Sequence, residues 1–226
     1  LIVTDDEPQN NGRDILLMAD DWRLDADWRF DEASIGSLHD WSHSGRLGNW
    51  LTINGQSRPE IPIPQTGLVR LRFVNAANAR VLSFQLSRRA PMQIIALDGA
   101  PCIPFNVDTL RLGPAQRADI IVQSGPDLGS LYEVTAGDNF EAARFVSKRV
   151  SESALGNMSA SPWYAYPDTK DAKLISIHMQ GGAMGNLTSA IFEGAELPIR
   201  ELAIEKQKFW AFNGQVGGYE HILADL

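Results

Sequence analysis

The sequence predicts an all-β protein, a two-sheet antiparallel sandwich, on three observations. Apolar residues recur with a period of two, Gly/Pro and Asn/Gly pairs punctuate the chain at short intervals, and helical periodicity is scarce. Val69, Leu71 and Phe73 alternate with Arg70 and Arg72, as on a strand with one buried face. Leu82, Phe84 and Leu86 alternate with Ser83, Gln85 and Ser87, and Ala118, Ile120 and Val122 share one side of 117–123. Further strands are expected at 14–20, 50–54, 92–97, 109–112, 131–135 and 173–179. Asn54-Gly55, Asp98-Gly99, Gly113-Pro114 and Gly125-Pro126 supply turns between them. Residues 31–49, rich in Ser, Gly, His and Asp, read as a long loop with room for a short helix, and 141–168 as an edge excursion plus loop.

Bulk properties narrow the function classes. With 226 residues, 44% apolar and 21% charged, the chain suits one large domain or one domain with pieces of its neighbours. The net charge of −8 disfavours nucleic acid and anionic membrane as partners, since phosphate recognition needs clustered Lys and Arg. Here the densest basic pairs are only Arg88-Arg89 and Lys148-Arg149, read as solvated surface. No apolar run approaches the length of a membrane span. The single cysteine, Cys102, excludes an intrachain disulfide and a cysteine-based zinc cluster.

The domain organisation expected is a central sandwich at 13–180. Residues 1–12 then read as the last strand of a preceding domain and a linker, because the apolar 1–4 is followed at once by a polar run. Residues 181–226 read as a linker and the first strand of a following domain. Trp210-Ala211-Phe212-Asn213-Gly214 echoes Trp50-Leu51-Thr52-Ile53-Asn54-Gly55, the mark of a repeated unit.

No catalytic or cofactor-binding residue emerges. A blue-copper site needs a thiolate, two imidazoles and a weak axial ligand gathered mostly by one short loop, and no His or Met closely follows Cys102. Its plain reading is a small half-buried residue beside a turn. The only metal candidates are His39 and His43, four apart and so on one face if helical, with Asp40 nearby. Ser42, Ser44 and Gly45 oppose a stable helix, and the plainer reading is a polar loop whose histidines bond backbone or water. His178 reads as a satisfied histidine on a sheet face, and His221 as part of a frayed end. Met158, Met179 and Met184 are too scattered for a soft-metal strip. Trp22, Trp28, Trp41 and Trp50 read as core or corner packing, the alternative being a carbohydrate platform.

Residues 40–55 (from Asp40-Trp41-Ser42-His43 to Ile53-Asn54-Gly55), 71–80 (Leu71-Arg72-Phe73-Val74-Asn75 to Arg80), 96–99 and 112–119 (Leu112-Gly113-Pro114 to Asp119) resemble bacterial multicopper oxidases of the laccase type. They occur in the order and approximate spacing of that family's second domain. Residues 1–8 resemble the close of its first domain, and 181–185 and 210–214 its run into the third. The resemblance implies a cupredoxin-like Greek-key β-sandwich whose partners are the flanking cupredoxin domains. It also implies a periplasmic or secreted parent that oxidises a donor one electron at a time and reduces oxygen to water at copper. The family's copper ligands lie in His-x-His pairs and a His-Cys-His run, and this sequence has neither. By resemblance, then, the segment holds no copper, is inactive alone, and spaces the copper-bearing domains. The rival reading is a stand-alone β-sandwich module for carbohydrate or protein; exposed edge strands could also pair two copies into a dimer.

Overall fold

A computed structural model describes residues 14–135, 137, 139–148 and 167–217. The segments 1–4 and 5–12, Met158 and His221 lie outside the described residues. The chain divides into two compact units, one of residues 14–30 and 47–148, the other of 31–46 and 167–217. No helix among the described residues is long and apolar enough to cross a membrane.

The first unit is built of eleven strands: β1 (Asp14–Trp22), β2 (Trp50–Ile53), β3 (Glu60–Pro64), β4 (Leu68–Asn75), β5 (Leu82–Leu86), β6 (Met92–Leu97), β7 (Ala100–Val107), β8 (Leu110–Leu112), β9 (Arg117–Gln123), β10 (Ser130–Glu133) and β11 (Phe140–Lys148). They form a six-stranded sheet in the order β2-β1-β4-β9-β6-β7 and a five-stranded sheet in the order β3-β11-β10-β5-β8. The alternation read in the sequence is the burial pattern observed. On β1, Ile15, Leu17 and Ala19 face inward while Leu16 and Met18 face out, and β4 alternates likewise along its length. One continuous core joins the sheets, from Leu17, Leu71, Phe73 and Ile120 on one side to Ile63, Leu82, Phe84 and Leu131 on the other. Phe73 and Phe84 meet across it with ring centroids 5.4 Å apart. Outward on β4, Arg70 pairs with Asp119 of β9, and Arg72 donates to Asp14 at 2.8 Å.

The sheets are not purely antiparallel, as the sequence pattern suggested. β1 lies parallel to β4, and β3 parallel to β11. Parallel neighbours need long crossovers, and the chain provides them by changing sheet between β2, β3 and β4 in Greek-key fashion. Strands β3 and β7 escaped the sequence reading because Pro62 and Pro64, and Pro101 and Pro104, interrupt them. Both are edge strands, the place in a sheet where proline costs no ladder bond. β11 was read as an excursion; a register shift opposite Leu131 and Tyr132 brings the neighbours Ala142 and Ala143 both into the interior and breaks its period.

The corner where β1 and β4 end is closed by buried polar groups. Asp21 Oδ2 accepts from Gly48 N at 2.6 Å and from Arg80 Nε at 2.7 Å, and Arg80 Nη2 donates to Gly48 O at 2.5 Å. A Cβ on Gly48 would lie 2.5 Å from the Asp21 carbonyl carbon, so only glycine lets the two backbones approach. Asn75, fully buried, donates from Nδ2 to Arg80 O at 2.8 Å and Leu112 O at 2.9 Å, and accepts from Ala77 N at 2.9 Å.

The second unit holds α1 (Leu38–Ser42), β12 (Met179–Gly181), β13 (Ser189–Phe192), β14 (Ala195–Pro198), α2 (Ile199–Ile204) and β15 (Trp210–Phe212). Its small core is Ala190, Leu202, Ala211 and Val216. The strand expected at 173–179 does not form; pairing starts only at Met179, and Leu174 is 91% exposed. Among the described residues no strand pairs with 173–178, so the alternation has no sheet to join.

Two outcomes follow from this packing. Asn75→Ala strands three backbone groups in the interior and should lower unfolding stability by about 3 kcal/mol, read from denaturant titration. The Glu141 carboxyl accepts from Ser130 Oγ at 2.6 Å and from Arg144 Nε at 3.2 Å, which holds it below the usual glutamate range. Because the folded value is depressed, its stabilisation is present above the ordinary pKa and disappears as pH falls through the folded one. Melting curves against pH should therefore show Glu141→Gln less stable than the parent at neutral pH, with the gap closing in acid below the carboxylate range.

Candidate functional site

The metal candidates sit in the second unit. His39 lies on α1 and His43 caps its C-terminus; the short helix forms despite Ser42 and Gly45. Their rings stack at 4.0 Å with planes 15° apart. His43 Nδ1 lies 2.8 Å from the His39 carbonyl oxygen, so it donates there and leaves Nε2 as the free lone pair. Imidazole lone pairs lie in the ring plane, and nearly parallel planes do not aim two of them at one ion. His39 Nδ1 stands 3.9 Å from Asp40 Oδ1, and Asp40 itself is buried. Among the described residues no group of three or more His, Cys, Asp or Glu side chains could hold a metal ion.

Cys102 is half-buried on β7 and packs against the main core. Burial pushes its thiol pKa up. Because it joins no group of three or more His, Cys, Asp or Glu side chains among the described residues, copper, the metal of the resembled family, does not fit the described donors. His178 is exposed just ahead of β12 rather than on a sheet face. Met92 belongs to the core, while Met179 and Met184 are exposed.

Trp22, Trp28, Trp41 and Trp50 are exposed and not core, and Trp22, Trp28 and Trp50 pack with neighbouring rings at one corner, the other half of the sequence reading. Trp22 and Trp50 are opposite partners on β1 and β2. Trp28 meets Trp50 edge-on at 5.1 Å, and Phe30 meets Trp22 at 6.3 Å. Trp28 is 69% exposed with φ of 62°, held in a turn where Asp25 Oδ1 accepts from Asp27 N and Arg29 N. Burial raises the pKa of nearby Asp20 on β1.

Side chains in the segments that carry the family resemblance hold turns together. Asn49 bonds both backbone groups of Leu24, and Asp98 Oδ1 accepts from Arg117 N at 2.9 Å. Gln116 Oε1 accepts from Gly113 N at 2.7 Å. The two Asn-Gly pairs adopt the same turn: φ is 53° and 75° at Asn54 and Gly55, and 52° and 75° at Asn213 and Gly214. Each asparagine docks the same way on the strand before it. Met18 N donates to Asn54 Oδ1 at 2.8 Å and Asn54 N to Met18 O at 2.8 Å. His178 N donates to Asn213 Oδ1 at 2.8 Å and Asn213 N to His178 O at 2.9 Å. The sequence echo was visible, but not that β12 stands to β15 as β1 stands to β2.

The multicopper oxidase family model matches residues 14–148, the whole described sandwich. A cell division protein FtsP from Edwardsiella tarda is 35% identical over 113 residues, which are 50% of this chain and 23% of that protein. The chain thus spans only a minor part of such relatives. A laccase-like multicopper oxidase, CueO from a lignin-degrading Ochrobactrum, superposes with a TM-score of 0.59 at 28% identity, over 73% of this chain and 37% of its own. A multicopper oxidase from Pseudomonas thermotolerans, at 24% identity, shares the fold with a TM-score of 0.64, over 77% of this chain and 42% of its own. The sandwich has the all-β cupredoxin-like fold, and the chain belongs to the multicopper oxidase family.

Proposed function

We propose that the first unit is the middle, copper-free cupredoxin domain of a laccase-like multicopper oxidase, and that the second unit contains the opening of the domain that follows. The observation that carries this reading is the second Asn-Gly turn. Asn213 docks on residue 178 with the same pair of bonds that Asn54 makes to residue 18, as the start of a second copy of the same fold would. The role is preorganisation. Copper ligands divided between two domains must be held to fractions of an ångström, and a rigid sandwich between them serves as the spacer. The parent would be an exported protein that couples one-electron oxidation of a donor to reduction of oxygen, with copper held in its other domains.

A second reading keeps the spacer and changes the parent. The curated relatives at 31–35% identity carry the name of a cell division protein, so the parent would act in division as they do. His-x-His pairs upstream and a His-Cys-His run downstream in the full coding sequence favour the oxidase; their absence favours the division protein.

Copper loading of the purified chain, followed by removal of excess metal, tests the copper-free assignment common to both. The expected result is substoichiometric metal and no intense visible copper–thiolate absorption. A stoichiometric blue site would overturn it, because Cys102 would then have to meet two imidazoles.

A further inference from the structure

Residues 31–46 leave the chain between β1 and β2 yet belong to the second unit, in which they join residues over a hundred positions away in sequence. The excursion is closed at its own neck. Arg46 donates from Nε to Ser34 Oγ at 3.2 Å and from Nη2 to Asp31 O at 3.1 Å. Its centre is α1, where the His39 and Asp40 carbonyls are bonded locally and those of Trp41 and Ser42 accept from residues 210 and 183. Trp210 Nε1 donates to Trp41 O at 2.8 Å, and Ala183 N donates to Ser42 O at 2.6 Å.

Glycines make this approach feasible. Gly182, at φ of 75°, lies against the Trp210 indole so closely that a Cβ there would fall 2.4 Å from the ring and 3.0 Å from Ser42 O. A Cβ on Gly181 would lie 2.1 Å from Phe209 O, and one on Gly185 2.0 Å from Gly181 O. The Gly181-Gly182-Ala183-Met184-Gly185 run is therefore a close-packed clasp: one side touches the Trp210 strand and the other the end of α1. Among the described residues the unit's buried apolar core is small: Ala190, Leu202, Ala211 and Val216.

We infer that residues 31–46 are a donated element of the second unit, required for its folding, with Trp210 over Gly182 as the anchor. The sandwich sequence thus encodes one wall of the unit that follows it, and the second unit is not specified by residues 167–226 alone. This goes beyond the spacer reading and does not depend on it, since it concerns which segments build the unit and not what the parent does.

Hydrogen exchange on the full 226-residue chain tests the inference. Two variants are compared with the parent: Trp210→Ala, and a replacement of residues 35–45 by a Gly/Ser stretch of equal length. In Trp210→Ala the amides of His43, Gly45 and Ala183 should exchange at least about tenfold faster. In the replaced chain the amides of Ile191, Ile199, Phe212 and Val216 should lose protection by a similar factor. Strands β4 and β9 serve as the internal control and should be unchanged in both. Retained protection at Ile191, Ile199, Phe212 and Val216 in the replaced chain would overturn the inference. So would unchanged exchange at His43, Gly45 and Ala183 in Trp210→Ala. A failed copper test would leave these outcomes untouched, so the two ideas fail separately.

Discussion

The sandwich depends on one side-chain amide. Asn75 ends β4 with no solvent to hydrate it, and its three bonds tie the Arg80 and Leu112 carbonyls and the Ala77 amide to a single point. Its own N–H and carbonyl bond Gln116 and Ala115, so the turn before β9 is fixed from the same residue. Arg80, positioned by that bend, can then reach Asp21 and Gly48. Backbone groups at the ends of strands would otherwise be buried without partners, the costliest defect available to a closed β structure. The aliphatic core drives the two sheets together, but the amide decides where their ends may turn.

The sequence revealed most strands, the edges β2 and β8 among them, and hid the edges β3 and β7 and the interior β11, for physical reasons. Where a strand has a neighbour on each side and one face on the core, its side chains tend to alternate, and β4, β5 and β9 did so legibly in the sequence. Proline is tolerated where the outer row of a sheet has no partner, and those residues made β3 and β7 read as loops. Residues 173–179 are the converse: they alternate well, but alternation makes no strand without another strand beside it. The Asp21–Gly48–Arg80 contact joins positions up to 59 apart, and nothing local in the sequence announces it. The Asn-Gly turns were legible because a left-handed pair of residues has few sequences that tolerate it. As for a site, the resemblance announced an absence of ligands in the sequence. The geometry adds what the sequence did not show: the His39 and His43 rings stack nearly parallel, and Cys102 packs against the main core.

Asn49, Asn54, Asn75, Arg80, Asp98 and Gln116 all lie in the segments that carry the family resemblance, and the side chain of each bonds backbone groups. On the sandwich surface, Arg70 and Arg72 are paired with Asp119 and Asp14 and are not presented as a basic face.

The prolines on two of the four edge strands, β3 and β7, have a consequence for the chain while it is being made. A growing sandwich exposes its outer strands before later partners arrive, and a foreign strand could add there and seed aggregates. Against β3 such an intruder meets Pro62 and Pro64, and against β7 Pro101 and Pro104, none of which can offer an N–H. The same residues that concealed these strands in the sequence thus act as gatekeepers during synthesis, leaving both edges poor templates for nascent chains crowded on one message.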